Sequence, residues 1–234
     1  MTLCFVLTTL GAAALVLYLC EKLRTFSPRA VLRKTLVSAL FVCTAVAASY
    51  YTAGKGSFGF FVVAGLVFGL FGDVWLDLKY VYPADDEPWT RAGFLSFAVG
   101  HCFFMLGMVL NFAELSKPAF IIVPLLLGVV CGFGAVFSAP LMKLVYGKYE
   151  KISIVYGGFL FGMALLAGSL ALQQGWECRT LNLMFVGGVL FALSDLVLSG
   201  TYFGEGHDKP ADIIANYVFY YGAQFIIALS PLFV

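Results

Sequence analysis

The chain has 234 residues, of which 62% are hydrophobic and 12% charged, with a formal net charge of +1 and a mean hydropathy of +0.96. That composition excludes a soluble domain, and the near-zero charge, with no basic, aromatic-interleaved surface module, gives no footing for a nucleic-acid partner. It predicts a polytopic membrane protein whose residues 1–234 form one domain.

Apolar stretches fall at approximately 2–20, 35–53, 58–78, 92–112, 119–139, 152–173, 181–200 and 212–233. Each is close to the ~20 residues that cross ~30 Å of hydrocarbon as a helix, so the expected fold is an all-α bundle of eight transmembrane helices joined by short loops. The first stretch lacks a basic leader and a small-residue cleavage site and is followed by a basic cluster, which reads as a retained helix rather than a signal peptide. Basic residues concentrate in the odd-numbered loops: Lys22, Arg24, Arg29, Arg33 and Lys34, then Lys79 and Arg91, then Lys143, Lys148 and Lys151, then Lys209. The even loops hold Lys55, Lys117 and Arg179. The positive-inside rule therefore predicts cytoplasmic odd loops and both termini outside. Six cysteines, scattered with no C-x-x-C spacing, suggest neither a disulfide framework nor a thiolate metal site.

The third stretch carries Asp73 and Asp77, four apart and so on one helix face. An ionised Asp at membrane depth costs about 2.5–3.5 kcal/mol on insertion scales, so such residues face a polar interior and mark function. Asp77 lies near the membrane edge, where headgroup water is expected to solvate it. In the fourth stretch His101 sits mid-helix, a candidate pocket ligand or a packed, hydrogen-bonded histidine. Tyr156 follows in the sixth.

The seventh stretch repeats the third. Superposing Asp73 on Asp195 aligns Gly65 with Gly187, Val67 with Val189, Phe68 with Leu190, Phe71 with Leu193, Gly72 with Ser194 and Leu76 with Leu198. A duplicated four-helix unit would place these two helices in parallel, an arrangement that competes with chance similarity among apolar helices. Both aspartates lie roughly 21–22 Å along a ~30 Å span, at one level in the cytoplasmic half. In the eighth stretch Tyr221 and Gln224 share a face, and the depths of Tyr156, His101, Tyr221 and Gln224, about 6 to 18 Å from the same end, place them in reach of one pocket. His207 belongs to a solvated loop. Ser194 has no G-x-S-x-G elbow around it.

Two carboxylates in a low-dielectric pocket titrate as a unit, one retaining its proton while the other remains a base or an electrostatic stabiliser. Such a pair suits acid/base catalysis. Asp73, Asp195 and His101 together also have donors suited to zinc, although no H-E-x-x-H or second intramembrane histidine supports that reading.

Several stretches together are similar to a known family: Gly72-Asp73-Val74-Trp75-Leu76, Gly100-His101, Val155-Tyr156-Gly157 with Met163, Ser194-Asp195-Leu196-Val197-Leu198, and Tyr220-Tyr221-Gly222-Ala223-Gln224 with the run through Ser230. In this order and spacing, from about residue 35 to the end, the chain resembles the YhhN / TMEM86 lysoplasmalogenase family of eight-helix membrane proteins. The resemblance implies hydrolysis of the vinyl-ether bond of lysoplasmalogen to a fatty aldehyde and glycerophospho-ethanolamine or -choline, with Asp73 and Asp195 as the catalytic aspartates. The Cys102-Phe103-Phe104 after His101 and the polar Asp77-Leu78-Lys79 depart from the family pattern and bear on substrate preference.

The reaction needs a general acid for the β-carbon, a stabiliser for the oxocarbenium ion and a directed water, and no cofactor. Which aspartate is the acid stays open. His101, Tyr156, Tyr221, Gln224 and Asp77 are the expected substrate-binding residues, with Arg91, Lys143, Lys148 and Lys151 as a cationic rim for the phosphate. The expected partners are a lysophospholipid and the lipid bilayer itself, with no nucleic acid. The membrane is that of a bacterial inner membrane or an endoplasmic reticulum, and the oligomeric state is undetermined. A proton-coupled lipid transporter or flippase is the main rival, and a metal-dependent membrane lipid hydrolase the enzymatic alternative.

Overall fold

The computed structural model describes residues 1–24, 28–204 and 209–234; the His207 assignment lies outside them. Among the described residues eight helices are long and apolar enough to cross a membrane. They are α1 (Thr2–Lys22), α2 (Pro28–Tyr51), α3 (Phe58–Val81), α4 (Asp86–Phe112), α5 (Ala119–Phe137), α6 (Glu150–Gln173), α7 (Arg179–Phe203) and α8 (Pro210–Leu229). Short 3₁₀ turns adjoin several of them, and large apolar side chains such as Leu95, Leu110, Leu126 and Val130 remain exposed along the spans. Spans of this kind suit lipid, because a helix satisfies its backbone polar groups internally.

Two boundaries differ from the hydropathy reading in a way that matters. Helix α2 starts at Pro28 rather than near 35, and α4 at Asp86 rather than near 92. Proline at a first helical position costs no hydrogen bond and has a helix-compatible φ, whereas hydropathy registers only where a helix turns apolar. Arg29, Arg33 and Lys34 therefore belong to α2 rather than to the first loop, Lys79 to α3, Arg91 to α4 and Lys151 to α6.

The two halves are packed to one plan. Contacts of α1 with α2, α2 with α3, and α3 with α4 are matched by α5 with α6, α6 with α7, and α7 with α8. Between halves, α4 lies against α6 and α8 against α2, again an equivalent pair. The numbering shift that carries Asp73 onto Asp195 also carries α2, Pro28–Tyr51, onto α6, Glu150–Gln173. Within the first half, α3 and α4 approach closely at Gly65 and Gly100, where a Cβ on either residue would come within 2.9 Å of the other's carbonyl oxygen. Small residues permit such backbone approach between membrane helices, where packing rather than water exclusion drives association. The core between the halves holds Phe41, Leu66, Phe191 and Tyr221.

Candidate functional site

The early start of α2 places Lys34 inside the bundle, with 5% of its surface exposed. Its Nζ lies 3.3 Å from Asp73 Oδ1 and 3.1 Å from Asp77 Oδ1. A buried charge is tolerable when paired and hydrogen-bonded, and this pairing explains two acids on one face of α3. Asp77 is thus not solvated at the membrane edge: it is 1% exposed and held by Lys34. The other oxygen of Asp73, Oδ2, accepts hydrogen bonds from Ser38 Oγ at 2.6 Å and Tyr220 OH at 2.8 Å. Gln224 Nε2 donates to Tyr220 OH at 2.9 Å, extending the network along α8.

Asp195 stands in a different setting. It is half-buried on α7, and the Tyr156 hydroxyl of α6 donates to its Oδ2. Among the described residues no cation lies within ion-pair distance of it and no hydrogen bond reaches its Oδ1. Tyr156 is fixed by Phe94 of α4, whose ring is stacked on it at 5.4 Å between centroids. Asn216 of α8 steadies the neighbouring turn, its Nδ2 donating to the carbonyl and hydroxyl oxygens of Ser194.

Two cavities meet at this carboxylate. The smaller, about 30 Å³, is lined by polar groups that include Lys34, Asp73, Asp195, Tyr156, Tyr220 and Asn216. A volume of this size and lining admits a water molecule. The larger, about 80 Å³, is mostly apolar and lies among α5, α6, α7 and the segment after α5, with Val136, Leu160, Phe161 and Leu196 on its walls. Asp195 and Tyr156 border both cavities, whereas Asp73 borders the polar one alone.

The expected site residues divide accordingly. Asp73, Asp195 and Tyr156 converge on the polar cavity. Gln224 stands behind Tyr220, and Tyr221 OH lies 3.3 Å from Ser38 Oγ and 3.4 Å from the Lys34 carbonyl. Neither lines either of these two cavities, and both stand behind groups that line the polar one. His101 is enclosed by aromatic rings, 4.9 Å from Phe191 and 5.9 Å from Tyr156 between centroids, with both ring nitrogens unpartnered. It does not line either cavity. Among the described residues no three His, Cys, Asp or Glu side chains gather as metal ligands would.

The expected cationic rim is also altered. Arg91 Nε lies 2.9 Å from Glu87 and donates from its terminal nitrogen to the Lys148 carbonyl, while Lys148 lies 3.1 Å from Glu87 and 3.4 Å from Asp86. These acids offset the charge meant for a phosphate. The residues missed were Lys34, Ser38, Tyr220 and Asn216. Lys34 had a signal, since the shift relating the two aspartates lays it on Tyr156. Each is the α2 or α6 side chain that holds its half's aspartate.

Neither the curated proteins nor the solved structures contain a match to this chain. A family model described as the YhhN family matches residues 29–231, and on that match, which takes in α2 through α8 with both aspartates, the chain belongs to the YhhN family.

Proposed function

We propose that the protein is a lysoplasmalogenase, an intramembrane hydrolase that cleaves the vinyl-ether bond of a lysoplasmalogen by acid/base catalysis at Asp195 and Asp73. The observation that carries the reading is the unequal pairing of two carboxylates on one small polar cavity: Asp73 bound to Lys34, Asp195 bound to a neutral phenol. A half-buried carboxyl group with no counter-ion is neutral at lower cost than charged, so Asp195 holds the proton. Asp73 and Asp77 share the ammonium of Lys34, which holds carboxylate charge beside the cavity.

The steps follow from these assignments. The vinyl ether's β-carbon takes the proton from Asp195, and the π electrons form the new C–H bond. Positive charge then develops at the α-carbon and ether oxygen, where the fixed charge of Asp73 opposes it without reorganisation. Water in the polar cavity adds to the α-carbon and returns a proton to the Asp195 carboxylate. The resulting hemiacetal breaks its bond to the glycerol oxygen, which takes the hydroxyl proton, giving aldehyde and glycerophospho-alcohol. Tyr156 keeps Asp195 Oδ2 engaged, so that Oδ1 is the atom that exchanges the proton. No step calls for a cofactor.

With the odd loops cytoplasmic, the site opens in the inner half of the bilayer, in a bacterial inner membrane or an endoplasmic reticulum. The uninterrupted course of α3 and α7 argues against a transporter, in which helices at a midplane site are commonly broken. Aldehyde release from 1-alkenyl-glycerophosphoethanolamine by the purified protein in detergent, with and without chelator, tests the reading. Release insensitive to chelator is expected. Substrate-dependent proton flux in liposomes with no aldehyde would replace the hydrolase by a transporter.

A further inference from the structure

The geometry points to the apolar cavity among α5, α6 and α7 as the seat of the substrate's aliphatic chain, with Ala135 and Ala192 setting how long a chain it accepts. The inference rests on the hydrolase reading and adds the direction in which the lipid lies.

Helices α5 and α6 cross through glycines. A Cβ on Gly128 would meet Gly162 Cα at 2.4 Å, and one on Gly132 would meet Gly158 N at 2.6 Å. Nothing thicker than backbone fits at that crossing. One turn further along α5, at Ala135 and Val136, the cavity opens. From α7 it is lined by Ala192, Asp195 and Leu196.

The segment that follows α5 forms a rim to the cavity through Ser138, Met142, Leu144 and Tyr146. It turns through Lys143 with φ of 55° and is pinned to the end of α7 by the Leu144–Gly204 bridge and by Val145 N donating to the Phe203 carbonyl at 2.7 Å. Phe137, Leu141 and Val145 on this rim are 70%, 88% and 77% exposed. Three such side chains, next in the chain to residues that line an apolar cavity, face hydrocarbon more readily than water. The rim thus joins the cavity to the bilayer, the source of a lipid chain.

The chemistry demands the same orientation. In a vinyl ether the carbon that is protonated bears the chain, and the carbon that receives water bears the oxygen. The proton donor must stand on the chain side and the water on the oxygen side. Asp195 alone of the two aspartates borders the apolar cavity, and the polar cavity lies beyond it toward Asp73. One lipid laid from the rim to Lys34 meets both requirements.

Two measurements test the inference in the intact protein. In the first, Ala135→Phe and Ala192→Phe are assayed against 1-alkenyl-glycerophosphoethanolamines of increasing chain length. A loss in kcat/KM of about ten-fold or more for long chains, with less than about two-fold for the shortest, is expected, since each buried methylene contributes ~0.8 kcal/mol. An equal loss at every length would overturn the assignment. In the second, a saturated 1-O-hexadecyl-glycerophosphoethanolamine with a terminal diazirine is photolysed on the wild-type protein and the labelled peptides are mapped. Adducts within 135–144 or 192–199 support the site, and adducts confined to α1–α4 overturn it. Wild-type protein that labels in the cavity and releases no aldehyde would remove the reaction proposed above while leaving the chain site supported.

Discussion

Asp73 and Asp195 occupy equivalent places in two halves built to one plan, and the side chains that hold them differ in kind. In the first half the partner from α2 is Lys34, which also binds Asp77; in the second the equivalent position on α6 is Tyr156. A cation and a phenol at matching positions give one carboxylate an ion-pair partner and the other a neutral hydrogen-bond donor. The burial differs in the same direction, 2% exposure for Asp73 against a half-buried Asp195 that touches both cavities. The same numbering shift relates the two acids and the α2 and α6 side chains that hold them, and under the proposed mechanism that one position gives the acids different work.

The comparison can be broken most severely at Asp195. Asp195→Asn removes the proposed proton donor to carbon, and aldehyde release is expected to fall by about a thousand-fold, within the range for general acids. Asp73→Asn deletes the opposing charge and leaves Lys34 paired with Asp77, for an expected loss of about a hundred-fold. Both variants should elute as the wild type does in size-exclusion chromatography.

Lys34→Met acts on folding first. It leaves two buried carboxylates without their cation, and a loss of ~3 kcal/mol or more is expected as a lowered thermal midpoint in detergent. Adding Asp77→Asn to Lys34→Met should restore part of that loss, a non-additivity expected of groups in contact. The equivalent change in the other half, Tyr156→Phe, removes one hydrogen bond and no charge. It should cost about ten-fold in kcat with only ~1 kcal/mol of stability. Equal thermal shifts for Lys34→Met and Tyr156→Phe would show that the halves do not differ as described. The smallest effect is expected at the rim, where Arg91→Ala breaks an exposed pair with Glu87 and should alter kcat/KM by less than about two-fold.

Much of this was legible in the sequence. Eight apolar stretches of spanning length give the helices, and the repeat around Asp73 and Asp195 brings out the two residues that meet at the polar cavity. The partner of Asp73 was hidden by the rule that reveals spans: a hydropathy window discards the basic start of α2, so Lys34 was grouped with a loop, although the shift that pairs the aspartates aligns it with Tyr156. Tyr220 was missed through a choice of helical phase. Tyr221 and Gln224 share a face, but so do Tyr220 and Gln224, and only tertiary packing decides that Tyr220 reaches Asp73. His101 entered the site by its mid-helix depth and the family pattern, neither of which gives direction around the helix, and its ring packs among Phe104, Tyr156 and Phe191.

The most direct test of the division of labour is the turnover of 1-alkenyl-glycerophosphoethanolamine by wild type, Asp73→Asn and Asp195→Asn in one assay, with each variant shown to be folded. The account predicts aldehyde release in the order wild type, Asp73→Asn, Asp195→Asn, with the last about ten-fold below the second. An Asp195→Asn variant that turns over as fast as the wild type, or faster than Asp73→Asn, would contradict it.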